Sequence, residues 1–246
     1  MIPLRDINPT ATSPVVTLGL IAASVVVFFF VQPQAEAESE TFAYENAAIA
    51  CEVVTGDPLD SFEVEQEVCE DQPTGSAVFP DKNVYAAVLY SMFLHGSIAH
   101  LLGNMWFLWI FGNNIEEAFG RVGYVLLYLG TGLIATLGFV LNNQDSTVPL
   151  VGASGAIAGV MGAYLVLFPV HKVMTIVFFV VTAIPAVAFL GLWFFTQFAL
   201  VGQESGIAWE AHVFGFIAGV VVALPLRVLL LRRTASVRLR PFKDAR

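Results

Sequence analysis

The sequence predicts an all-α polytopic membrane protein of six transmembrane helices, with both termini on the cytoplasmic side. Three observations predict it. First, 57% of the 246 residues are hydrophobic and only 13% are charged, about half the charged fraction of a soluble domain. Second, the apolar residues come in long blocks, as spans require. Third, the charge is segregated. Most of the acid in a chain of net charge -9 falls between Glu36 and Asp81, Asp71 included, whereas the basic residues cluster from Arg227 to Arg246. A basic run after the last span marks the cytoplasmic side. Beside a span this run implies lipid headgroups rather than nucleic acid.

A short segment, 1–13, precedes the membrane domain, 14–231, and a basic tail, 232–246, follows it. The first span is expected over Pro14–Val31, followed by an acidic loop over 32–84. The second covers Ile98–Asn113 and runs on helically to Phe119, and the third covers Tyr124–Leu141. The fourth runs over Gly155–Phe168 and stops at Pro169. The fifth is expected over Val173–Phe195, bent by Pro185, and the sixth over Trp209–Leu231. With the tail inside, an even number of spans puts the amino terminus inside too. Spans two, four and six then all begin at the outer surface.

That arrangement gathers the intramembrane polar residues. His100 and Asn104 open span two, Ser154 opens span four and His212 opens span six. Polar and ionisable residues at such depth are costly and point to function. Span four rises only ~21 Å against a hydrocarbon core of about 30 Å, so Ser154 is expected at the bottom of a depression. The polar run Asn142–Thr147 would line its wall and admit water.

A serine nucleophile needs a base within reach. Ser154 is the candidate nucleophile and His212 the candidate base. Gly155 and Gly159 on span four, and Gly215 and Gly219 on span six, form two G-x-x-x-G faces that allow close helix packing. Oxyanion donors have two sources: the free N–H groups of the first turn of span four, and His100 with Asn104, spaced i, i+4 on one face. No acidic third member is evident, so the expected machinery is a Ser–His dyad. His95 reads as a residue satisfied by backbone carbonyls. Cys51 and Cys69, both in the acidic loop, are expected to form a disulfide in an oxidising compartment. That loop is expected to lie outside the catalytic core. Two thiols alone seldom bind a metal, and no metal site is expected.

These residues resemble the rhomboid intramembrane serine proteases. The resemblance rests on His95, on His100 and Asn104 in His-Leu-Leu-Gly-Asn, on Gly152-Ala153-Ser154-Gly155, and on Ala211-His212 with Gly215 and Gly219. It implies a six-span core whose serine and histidine form the dyad. His100, Asn104 and the backbone around Gly152 and Ala153 then support the oxyanion. It further implies single-span membrane proteins as substrates, cut near the extracytoplasmic end of their helix, with no cofactor. The implied location is a bacterial plasma membrane, with span five beside the substrate entry route. Two departures stand out. Tyr85-Ala86 replaces a Trp-Arg pair common before span two, and Ala158 replaces an aromatic that usually lies under the histidine. A non-catalytic, client-binding relative is the alternative, although such proteins typically lack the serine or the histidine. A transporter would show repeated halves, which this sequence does not.

Overall fold

The computed structural model describes residues 1–70, 75–199, 201 and 206–243. Asp71 of the acidic run and Arg246 of the basic run lie outside them. The chain is mainly helical. Strand β1 (Ile2–Asp6) leads to helix α1 (Val15–Val26), which ends in a π-helical turn, Val27–Val31. The acidic loop holds α2 (Glu36–Asn46), β2 (Ala48–Ile49), α3 (Ala50–Thr55) and α4 (Ser61–Gln66). Helix α5 (Val84–Ser91) connects it to α6 (Ile98–Asn142). Then come β3 (Pro149–Leu150), α7 (Ser154–Leu167), the hairpin β4 (Lys172–Val177) and β5 (Val180–Pro185), α8 (Ala186–Phe198) and α9 (Trp209–Lys243). Helices α6 and α9 are long and apolar enough to cross a membrane, and the shorter apolar helices Val15–Val31, α7 and α8 pack with them.

Helix α6 folds back on itself. It breaks at Gly120, whose φ of +73° is left-handed. His100 and Phe139 line one cavity, yet 39 residues of straight helix would separate them by ~58 Å. The two halves therefore run antiparallel, as the reading of spans two and three expects.

Helices α7 and α9 form the centre of the bundle, and glycine makes this possible. A Cβ on Gly215 would fall on the carbonyl oxygen of Gly155, and one on Gly219 on that of Gly159. The expected small-residue packing is thus the packing observed. Gly219→Ala is expected to cost about 1–3 kcal/mol by overpacking. Gly191→Ala, inside α8 with nothing within 4 Å, should not lower the unfolding midpoint in detergent. Equal midpoints for the two variants would contradict this packing.

The helical reading fails in two places. Residues 172–185 are a β-hairpin rather than the first half of a span. Pro185 precedes α8 in extended conformation (φ −56°, ψ 140°), so it starts that helix and bends nothing. The hairpin joins a three-stranded antiparallel sheet of order β1-β4-β5, with Ile2 opposite Ile176 and Asp6 opposite Val173. The amino-terminal segment is therefore built into the fold. Its polar groups are held at the end of the bundle opposite the openings of α6, α7 and α9. The Asp6 carboxylate accepts from Asn114 Nδ2 at 2.6 Å and from the Tyr164 hydroxyl at 2.9 Å. Glu116 accepts the Val16 and Thr17 N–H groups at 2.9 and 2.8 Å, satisfying free donors of the first turn of α1. Arg238 Nε meets Glu117 at 2.6 Å. Helix α9 thus runs past residue 231 and packs its basic end onto this network.

Candidate active site

Ser154 is the first residue of α7, and its position follows from the two residues before it. Gly152 has φ +131°, a backbone that side chains avoid. A Cβ there would also stand 2.8 Å from Cε1 and Nε2 of His100. Gly152 thus lets the chain turn into α7 beneath the His100 ring. The Gly152 N–H donates to the Ser91 carbonyl at 2.9 Å, which fixes the loop to the end of α5. Ala153 is fully buried beside it.

His100 and Asn104 come from the first half of α6, which Ser97 caps by accepting the His100 N–H at 3.1 Å. The rings of His95 and His100 meet edge to face at 5.2 Å. His95 is buried and bonds through Nδ1 to the Phe93 carbonyl at 3.2 Å, and its backbone exchanges two hydrogen bonds with Gln32. The expectation that backbone carbonyls satisfy it holds for Nδ1 only, because His95 Nε2 is buried without a partner.

Ser154, His212, His100, Asn104 and Gly152 all line one cavity of about 920 Å³, and Ser146 of the expected polar wall lines it too. Ala153 lies behind that surface. No hydrogen bond joins Ser154 Oγ to His212 here, as is common in a site without substrate. Asn104 is 8% exposed and its Nδ2 has no partner. An unpartnered buried donor is costly, and this one lines the cavity that holds Ser154.

Two features were not legible as parts of the site. The first answers the question that Ala158 raises. His212 is held from α8: its Nδ1 meets Gln197 Oε1 at 2.8 Å, and the Trp193 ring lies 5.8 Å from its own. A lone amide in an apolar segment was the available signal, but Gln197 lies just past the expected end of span five. The second feature corrects the placing of the acidic loop outside the core. Its strand β2 pairs with β3, Ala48 opposite Leu150 and Ile49 opposite Pro149. Cys51 N–H donates to the Ser146 carbonyl at 3.0 Å, and Ala48 N–H to Ser91 Oγ at 2.7 Å. Two-residue strands leave no periodic signal to read. The loop therefore braces the approach to Gly152. It is tied internally by a Cys51–Cys69 disulfide and by an ion pair between the buried side chains of Lys82 and Glu52. Burial raises the Glu52 carboxyl and lowers the Lys82 amine, and the pairing opposes both shifts.

A serine at a helix start, a histidine on the helix packed against it and a free amide donor thus line one cavity within an apolar helical bundle. The Rhomboid domain family matches residues 82–228, which include all of these residues. The chain belongs to the rhomboid family. It is 38% identical over 78 residues to rhomboid protease GluP of Bacillus subtilis, covering 32% of this chain and 15% of that one. It is 41% identical over 78 residues to RHOMBOID-like protein 6, mitochondrial, of Arabidopsis thaliana, covering 32% and 25%. It is 34% identical over 87 residues to presenilin-associated rhomboid-like protein A, mitochondrial, of Danio rerio, covering 35% and 23%. The matched stretches thus span a quarter or less of these relatives' own lengths.

Proposed function

We propose that this chain is an intramembrane serine endopeptidase that cleaves single-span membrane proteins near the extracytoplasmic end of their transmembrane helix. The observation that carries the reading is the single cavity lined by Ser154, His212 and the unpartnered amide of Asn104. Ser154 Oγ attacks the scissile carbonyl carbon while His212 takes the hydroxyl proton. Negative charge on the carbonyl oxygen is met by the Asn104 amide, by His100 and by the N–H groups at the start of α7. His212 then gives its proton to the leaving amine. Water hydrolyses the acyl-enzyme and restores Ser154. No cofactor enters the reaction.

In this reading the six spans are α1 with its π-helical turn, the two halves of α6, α7, α8 and α9. Both termini are cytoplasmic and the cavity opens to the outside of a bacterial plasma membrane. The charge distribution supports that placement. Arg232, Arg233 and Arg238 lie on the far end of α9, whereas the acidic loop and its disulfide lie at the cavity end. The test is a single-span reporter reconstituted with the enzyme in liposomes, its product termini mapped by mass. A cut near the extracytoplasmic end of the reporter helix is expected. Cleavage confined to the reporter's cytoplasmic end or its soluble domains would overturn the substrate assignment.

A further inference from the structure

His212 has two ring nitrogens, and one of them is committed. Its Nδ1 faces Gln197 Oε1 at 2.8 Å. The orientation of that amide is set by its other end, because Gln197 Nε2 donates to the Trp193 carbonyl at 2.9 Å. The amide oxygen is thereby left to His212, and an amide oxygen can only accept. The imidazole must therefore carry its proton on Nδ1 and keep the Nε2 lone pair free for the Ser154 proton. The Trp193 ring flanks the imidazole at an interplanar angle of 39°, which limits its tilt. Trp193 and Gln197 are one turn apart, so a single face of α8 fixes both the ring's orientation and its tautomer.

We propose that Gln197 is a positioning residue for the dyad: it selects the His212 tautomer that can act as base, and so makes base competence depend on the seating of α8 against α9. The inference rests on the protease reading above and deepens it. Three observations favour it over simple packing. Gln197 is 5% exposed, and a buried amide keeps its hydrogen bonds. Thr196, its polar neighbour, bonds back to Trp193 within α8, so among the described residues Gln197 carries the polar link from α8 to the base. The outer face of α8 is free of the bundle: Val187, Leu192, Phe195 and Phe198 are exposed, and only Ala186, Phe189 and Leu190 join Gln197 in being buried. Displacing α8 would remove the acceptor from Nδ1 and the ring from its flank together. Among the described residues that line the cavity with His212, Ser154 comes from α7, His100 from α6 and Trp193 from α8, with Glu210 on α9 itself. None of these replaces the Gln197 acceptor.

The test uses the full chain in liposomes and two readouts, turnover of the reporter and ¹⁵N NMR of histidine-labelled protein. In the wild type, His212 is expected as a single Nδ1–H tautomer. Gln197→Met, which keeps the length and removes the acceptor, should lower kcat by about 10- to 100-fold with KM little changed, as for loss of other orienting partners. It should also lose the pure Nδ1–H signature. Gln197→Glu keeps an acceptor oxygen and should recover most of the lost kcat. A Gln197→Met enzyme with wild-type kcat overturns the proposal, as does a Gln197→Glu enzyme as slow as Gln197→Met. If neither variant folds, the wild-type spectrum decides: a His212 without its proton on Nδ1 contradicts it. A wild type without Ser154-dependent turnover would sink the protease reading, and the spectrum would still report on the tautomer.

Discussion

Ser154→Ala and His212→Ala are each expected to abolish proteolysis, lowering kcat by roughly 10⁴–10⁶-fold, the range seen when members of a serine catalytic unit are removed. The two side chains act in one step: the hydroxyl is a weak nucleophile until the imidazole takes its proton. The double variant should therefore be no slower than the worse single variant. Folding should survive, because both side chains line a cavity rather than fill a core. The packing that brings them together belongs to Gly155, Gly159, Gly215 and Gly219, which both variants leave intact. The measurement is turnover of the reporter, with unfolding midpoints in detergent as the control. A well-folded Ser154→Ala enzyme that still cleaves would place the nucleophile elsewhere, and additive losses in the double variant would mean that the two residues work independently.

The second large effect is expected at Asn104. When Ser154 attacks, charge builds on the carbonyl oxygen in a partly dry cavity and needs donors already in place. The Asn104 amide is neutral at any working pH and carries two donors. Its nitrogen is buried at the cavity wall without a partner, which costs stability and is repaid only when an acceptor arrives. Removing one such donor typically lowers kcat by about 10²–10³-fold, or about 2.7–4 kcal/mol. Asn104→Ala should lose that much rate while KM changes little, since the charge exists only beyond the ground state. His100 also packs over Gly152, so His100→Ala should disturb the turn into α7 as well as the oxyanion. Wild-type kcat in Asn104→Ala, measured with the reporter in liposomes, would leave the oxyanion to backbone N–H groups alone.

Much of this site was legible because a membrane makes polar residues conspicuous. Ser154, His212, His100 and Asn104 interrupt apolar runs, and their spacing from the starts of three helices places them at one level. The paired glycines foretold the α7–α9 contact for a similar reason, since carbonyl oxygens now stand where their Cβ atoms would be. The hairpin was illegible because the run from Val173 to Val181 is apolar and rich in β-branched residues. Hydropathy alone cannot separate a buried helix from paired strands in such a run. What decides between them is distant in sequence: β4 is paired with β1, about 170 residues away. Pro185 was misread with it, since a proline at the first turn of a helix and one inside a span look alike until the helix start is known. Gln197 escaped for a related cause, because moving the start of α8 to Ala186 also carries its end past Phe195 and takes the amide into the helix.

The central claim is that Ser154 is a nucleophile activated by His212 inside an apolar bundle, and active-site labelling tests it most directly. A serine-directed fluorophosphonate is applied to the full chain in liposomes, and the adduct is located by peptide mass. The account predicts a single adduct on Ser154, lost in Ser154→Ala and strongly slowed in His212→Ala. An enzyme that cleaves the reporter while Ser154 stays unlabelled, or that labels equally fast without His212, would contradict it.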